Sequence, residues 1–338
     1  MRESWCVKVP RETGEKARRI LYTAGELVED LKPRTEGAHI LFPVRSAEEA
    51  RSKLASSGIE AGPCRSVFKE YRRRAPPPPR SYLVVGDIAL FSGRAEEEGE
   101  LRRAAEDLMA SQPRIRAAYM KERVEGELRR PSLVHLAGER RTWTVHKEHG
   151  LLFYVDISRA YFNPRLAYEH HRVASLVGNG ERVLDMFSGV GGFSIHIASM
   201  ARATVVASDL NPYAAAYTAI NVALNRGRLK GRITVLRSDA ARLPQVLKGG
   251  FTRIIMNHPT ASLDYLGEAC SLASKGASIH VYVFALSGLE AADMVYEAVE
   301  KSGCGGAEVA GFREVLEYSQ DLSLFSVEVR VSRPRGFK

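Results

Sequence analysis

A chain of 338 residues, 45% hydrophobic and 26% charged, has the length and apolar content for two or three soluble domains. No apolar stretch approaches the eighteen or so residues that a membrane span needs, and the polar start Met1-Arg-Glu-Ser4 leads into no signal-type apolar region, so a cytoplasmic protein is expected. The formal charge of +9 favours a polyanionic partner through long-range attraction and counterion release.

Residues 1–75 alternate short apolar runs such as Ile40-Leu-Phe42 with helical stretches such as Glu48 to Ala55, the pattern of a small α+β module. Tyr71-Arg-Arg-Arg-Ala-Pro-Pro-Pro-Pro-Arg80 follows. Four consecutive prolines favour extended backbone and cannot continue a helix, so this segment reads as a semi-rigid spacer and a domain boundary. Its arginines suit either phosphate contact or plain solvation.

A second unit, 80–150, opens on one strand-like run from Tyr82 to Phe91 and continues with a helix from about Glu96 to Ala110. Strands are expected over Ala117 to Met120, Leu133 to Leu136, Thr142 to His146 and Leu151 to Asp156, then a helix over Leu166 to Val177. From Arg182 the order becomes strand, glycine turn, helix, strand, the signature of a parallel sheet. A third domain, 151–338, is expected there. Cys6, Cys64, Cys270 and Cys304 stand singly, without the spacing of a zinc site or a disulfide framework, and are expected as buried or incidental thiols. No metal-ligand cluster is visible.

Val183-Leu-Asp-Met-Phe-Ser-Gly-Val-Gly-Gly-Phe193 sets Asp185 at a strand end before Gly189 and Gly191, which let a ligand approach the backbone. Position 194 is Ser194 where a dinucleotide fingerprint requires glycine. The acid suits a cofactor with a cationic amino-acid portion, as S-adenosylmethionine has. Asp209 ends the next strand, placed for ribose hydroxyls, and Asp239 the third, placed for an adenine amino group. Each acid alone also reads as a helix cap. Three at successive strand ends favour a nucleoside cofactor. Asn257-His258-Pro259 closes the apolar run Arg253-Ile-Ile-Met256 and reads either as a turn or as an amide presented at the carboxyl edge of the sheet to a planar substrate.

These residues resemble the archaeal and eukaryotic tRNA guanine-37 N1-methyltransferases. The likeness runs through Cys6-Val-Lys-Val-Pro10, Gly86-Asp-Ile-Ala89, Gly126-Glu-Leu-Arg129, His135-Leu-Ala-Gly-Glu139, Val155 to Leu166, Glu169-His170, the glycine loop, Asp209-Leu-Asn-Pro212 and Asn257-His-Pro259. It implies an α/β fold: a C-terminal Rossmann-type class I methyltransferase domain behind two smaller N-terminal α+β RNA-binding domains. It also implies methyl transfer from S-adenosyl-L-methionine to N1 of the guanine 3′ to the anticodon. Guanine N1 carries a proton at neutral pH and charge builds on O6 as that proton leaves, so the chemistry needs a base, a cation at O6 and a group that fixes the base edge.

By motif match the resemblance makes Glu169 the base, Arg129 the O6 stabiliser and Asn257 the positioning amide, with Arg165 and Pro259 also on the substrate. It places Tyr161, Asp185, Phe187, Gly189, Gly191, Asp209, Asp239 and Asn257 at the cofactor. Glu169 also reads as a helix acid paired with Arg165 or Arg172. Arg129 also reads as a phosphate contact, and Tyr161 as core packing. The implied partner is tRNA, through its anticodon loop and outer corner, with no DNA, no membrane and a monomeric state.

Two motifs depart from the family pattern. His258 stands where leucine is usual, and the cofactor loop reads Ser188-Gly-Val-Gly-Gly192 where Ala-Gly-Val-Gly-Pro is usual. His258 opens the question of a wyosine-precursor substrate. Aminocarboxypropyl transfer and tRNA binding without catalysis are the competing readings.

Overall fold

The computed structural model describes residues 2–28, 30–70, 81–125, 130–304, 306–319 and 321–332. The expected proline spacer and Gly126 to Arg129 lie outside the described residues. The chain divides into two compact units, Met1–Pro77 with Ala110–Gln112, and Pro78–Met109 with Pro113–Lys338.

The first unit contains β1 (Arg2–Pro10), α1 (Gly14–Thr23), β2 (Arg34–Glu36), β3 (His39–Pro43), α2 (Ala47–Ala55) and β4 (Gly62–Phe68). Its antiparallel sheet runs β2-β3-β1-β4. Ala17 and Leu21 of α1, with Ala50 and Leu54 of α2, recur at helical spacing and are buried with Val7, Val9 and Phe42. Ser46 caps α2 by accepting from the Glu49 N–H at 3.3 Å. Cys6 is disulfide-bonded to Cys64, which corrects the thiol expectation. The two stand directly opposite each other in the β1/β4 register, a pairing invisible at a separation of 58 residues.

The second unit opens with β5 (Tyr82–Val85), β6 (Ile88–Ser92), α3 (Glu98–Ser111), β7 (Ala117–Glu125) and β8 (Arg130–Gly138). They form a sheet in the order β5-β6-β7-β8. The expected single strand from Tyr82 to Phe91 is therefore a hairpin. Gly86 turns the chain with φ +58°, and a Cβ there would come within 2.8 Å of the Val145 carbonyl.

A second hairpin, β9 (Trp143–Glu148) and β10 (Leu151–Asp156), turns at His149 (φ +45°) and Gly150 (φ +85°). The remaining elements are α4 (Ala167–Ser175), β11 (Arg182–Asp185), α5 (Gly192–Met200), β12 (Thr204–Asp209), α6 (Pro212–Leu224), β13 (Arg232–Arg237), α7 (Leu243–Val246), β14 (Phe251–Met256), α8 (Leu266–Leu272), β15 (Ala273–Ala285), α9 (Gly288–Ser302), β16 (Ala307–Ser319) and β17 (Leu322–Val331).

Seven strands run β13-β12-β11-β14-β15-β17-β16; the first five are parallel, and β17 runs antiparallel to its neighbours β15 and β16. Alternation along each strand splits the core. Leu184, Ile254 and Met256 pack with α8 and α9, while Val183, Val205, Ile255 and Tyr282 pack with α4 and α5. The strand order reverses between β11 and β14, the switch point at which such sheets bind ligands. Cys270 and Cys304, buried on the α8 and α9 side, form a second disulfide that also corrects the thiol expectation.

β10 gains a neighbour from a helix. Asn225 accepts from the Leu152 N–H at 2.9 Å and donates to its carbonyl at 2.7 Å; Asn221 accepts from the Tyr154 N–H at 2.6 Å and donates to its carbonyl at 3.1 Å. Two amides one helical turn apart, Asn221 on α6 and Asn225 capping its C-terminus, thus match alternate residues of a strand, both fully buried.

Candidate active site

At the end of β11, Asp185 is fully buried. Its Oδ2 accepts from Ser194 Oγ at 2.7 Å, and its Oδ1 has no hydrogen-bond partner. Burial raises its pKa to about 7. Gly189 (φ +54°) and Gly191 (φ +92°) turn the loop that follows. The Gly189 N–H donates to Asp209 Oδ2 at 2.8 Å, so the acid ending β12 braces the glycine loop ending β11. Burial raises the pKa of Asp209 to about 6, against the lowering pull of the Asn211 and Gly189 N–H groups. Asp239 lies at the end of β13 and caps the following turn by accepting from the Ala241 N–H at 3.0 Å.

After β14, Asn257 and Pro259 share a cavity wall with Tyr161, Asn163, Leu166, Phe284, Leu316, Tyr318 and Leu324. Among the described residues none hydrogen-bonds the Asn257 side chain. Ser262, which sequence reasoning missed, knots this turn: its hydroxyl donates to the Met256 carbonyl at 2.6 Å and accepts from the His258 N–H at 3.2 Å. Its only sequence signal is a small hydroxyl residue five positions after Asn257. Phe187 packs beside His258 and Tyr265, with ring centroids at 5.2 and 5.6 Å. The backbone of Tyr161 lies against Gly189, so the Asn257 cavity adjoins the glycine loop.

Glu169 is 2% exposed, both enclosed and paired. Arg172 donates to its two oxygens at 2.6 and 2.7 Å, and Tyr282 Oη donates to Oε1 at 2.6 Å. Burial and the Glu169 charge push the Tyr282 phenol well above its ordinary pKa, so it remains a donor. Glu169 does not line the Asn257 cavity. It sits one helical turn from Leu166, and Tyr282 one strand repeat from Phe284, so the pair lies directly behind that wall. Arg165 is exposed and donates to the Glu317 carbonyl at 2.7 Å. Arg129 lies outside the described residues.

Sequence reasoning also missed a buried cluster of Glu148, His170 and His196, whose candidate ligating atoms lie within 4.8 Å of one another. The sequence shows no metal-ligand cluster, and the fold brings these three together as one candidate grouping. The three are scattered over β9, α4 and α5 without motif spacing, so only the fold brings them together.

Residues 144–304 match the family model of the TRM5/TYW2 methyltransferase domain, and residues 6–56 that of the tRNA methyltransferase 5 N-terminal domain. A tRNA (guanine(37)-N(1))-methyltransferase Trm5b of Pyrococcus abyssi is 33% identical over 97% of this chain and 99% of its own length. The chain belongs to the Trm5 family. The crystal structure of the Pyrococcus abyssi Trm5b matches this fold with a TM-score of 0.71 at 31% identity, covering 98% of this chain and 100% of that one. A Trm5 in complex with tRNALeu matches with a TM-score of 0.73 at 27% identity, covering 96% and 99%. A tRNA(Phe) (4-demethylwyosine(37)-C(7)) aminocarboxypropyltransferase of Pyrococcus horikoshii is 30% identical over 60% of this chain and 71% of its own.

As a Trm5 family member the chain is an S-adenosyl-L-methionine-dependent methyltransferase. Its residues fit that cofactor. Asp185 Oδ1 and the hydroxyls of Ser188 and Ser208 are buried around the glycine loop with no hydrogen-bond partner, leaving polar capacity for a ligand.

Proposed function

We propose that the protein methylates N1 of guanine 37 in tRNA. The observation that carries this reading is the likeness to Trm5b along 97% of the chain, against 60% for the aminocarboxypropyltransferase relative. In this reading residues 1–75 take the outer corner of tRNA, residues 80–150 bind RNA beside the anticodon loop, and residues 151–338 perform the transfer as a cytoplasmic monomer. A cavity of about 880 Å³ in the middle region supports RNA contact, since Arg114, Arg116 and Lys147 line it with the half-exposed indole of Trp143.

Asp185, Asp209 and Asp239 hold the cofactor with Tyr161, Phe187, Gly189 and Gly191, and the bound cofactor supplies an electrophilic methyl on its sulfonium. Asn257 reads the guanine edge with its unengaged amide, and Pro259 fixes the turn. Glu169 takes the N1 proton, exchanging the Arg172 pair for the guanine N1–H. Arg129 receives the charge that builds on O6.

Nucleoside mass spectrometry after incubation with labelled cofactor and guanine-37 or adenine-37 transcripts tests the reading. We expect 1-methylguanosine from the guanine transcript alone. A labelled aminocarboxypropyl product, or no product, overturns it.

A further inference from the structure

We propose that Glu148, His170 and His196 bind a divalent transition-metal cation of the zinc type, pinning the β9/β10 hairpin to α4 and α5. Glu148 ends β9, immediately before the His149-Gly150 turn. Its side chain is wholly buried, with those of His170 and His196 at 6% and 1% exposure. Among the described residues no lysine or arginine pairs with it. A glutamate taken this far from water is stabilised by a cation or by hydrogen-bond donors, and among the described residues His170 alone stands within hydrogen-bond reach of it.

The hydrogen bonds fix which lone pairs remain. His196 Nδ1 contacts the Gly192 carbonyl at 2.8 Å and must donate to it, which leaves Nε2 an acceptor. That Nε2 has no hydrogen-bond partner and lies 3.8 Å from Glu148 Oε2. Glu148 Oε1 also has none. The His196 acceptor nitrogen and the Glu148 carboxylate thus share one buried compartment at 3.8 Å without a proton between them, an arrangement that a cation resolves. His170 Nδ1 stands 2.9 Å from the same Oε2 and turns toward the cation when its ring takes the Nε2–H tautomer.

Ligating atoms around tetrahedral zinc stand about 3.3 Å apart, as bonds of about 2.0–2.1 Å require. The two separations from Glu148 Oε2, 2.9 and 3.8 Å, bracket that value, and all three ligating atoms lie within 4.8 Å of one another. Two imidazoles and one carboxylate are a zinc donor set, and a ligating histidine that donates its other N–H to a backbone carbonyl matches His196. His146 completes the surroundings without ligating. Its Nδ1 accepts from the Gly86 N–H at 3.0 Å, so its Nε2–H points toward Glu148 Oε1, 3.8 Å away.

Phe153 stacks on His196 and Phe193 meets His170 edge-on, closing the compartment to water. The site also explains Gly192. A Cβ there would lie 2.6 Å from His170 Cε1, so glycine makes room for a ring in the ligating position.

The test uses the full chain, stripped with a chelator and titrated with Zn²⁺ by calorimetry and with Co²⁺ by visible absorption. We expect one equivalent of either ion, tetrahedral Co²⁺ bands and a rise in Tm on adding Zn²⁺. Glu148→Gln and His196→Gln, each checked for native circular dichroism, should weaken binding by at least about tenfold, the scale on which even outer partners of a metal site act. Should a variant fail to fold, anomalous diffraction at the zinc edge from wild-type crystals decides, with a peak among the three side chains expected. A folded, stripped protein that takes up neither ion, binding unchanged in both folded variants, or a zinc peak elsewhere overturns the proposal.

Discussion

Asp185 and Asp209 are charged in water at neutral pH and sit where burial opposes that charge, at about 7 and about 6. Both folded values lie above the ordinary carboxylate value near 3.9, so between roughly pH 4 and 7 the folded protein holds protons that the unfolded chain has released. This contribution to stability is complete below about pH 4 and is lost as the pH rises through 6 and 7. A cationic ligand beside ionised carboxylates reverses the preference. Cofactor binding should therefore release protons at pH 6 and tighten toward pH 7.5; calorimetry in two buffers of different ionisation enthalpy measures this, and proton uptake would contradict it. For Glu169, replacement by Gln keeps the Tyr282 contact but removes the proton acceptor. Single-turnover methylation should fall by about a hundredfold or more with tRNA affinity unchanged. A rate within a few-fold of wild type would remove Glu169 from the role of base.

At the scale of elements, the parallel sheet was legible because its strands end in acids and a glycine loop, local signals that need no tertiary knowledge. The place of Asn257 after β14 was legible for the same reason, and helical spacing offered Glu169 either Arg165 or Arg172, of which the fold pairs Arg172. The hold of Tyr282 on Glu169 was not, because 113 residues separate the partners. Neither the disulfides nor the Glu148, His170 and His196 cluster has a sequence spacing to announce it. Gly86 misled in the opposite direction, since its flanks are apolar enough to read as one strand until the turn beside Thr144 and Val145 is seen. The Asn221 and Asn225 contacts with β10 were equally hidden. Asn225→Ala leaves the Leu152 N–H and carbonyl without their partner, at a cost of about 2–6 kcal/mol for two unpaired groups. Chemical denaturation should show that loss, and a change below about 0.5 kcal/mol, the scale of a surface substitution, would mean the backbone finds other partners.

For the whole molecule, the match to the N-terminal family domain and the compact unit of Met1–Pro77 with Ala110–Gln112 make the proposed division, RNA placement by the first unit and chemistry by the second, testable. A chain beginning at Ser81 should lose tRNA affinity yet bind the cofactor as the full chain does, measured by filter binding and calorimetry; loss of cofactor binding would refute that division. Within the second unit the opposite holds, and the amides of α6 are the reason. Asn221 donates not only to Tyr154 but also to the Val190 carbonyl at 3.0 Å, inside the glycine loop. The Leu152 and Tyr154 amide protons can reach solvent only when α6 lifts away, and lifting α6 takes the loop's anchor with it. In hydrogen exchange the hairpin and the cofactor loop should share one opening event, slow and cooperative, and ligand bound at one should quiet exchange at the other.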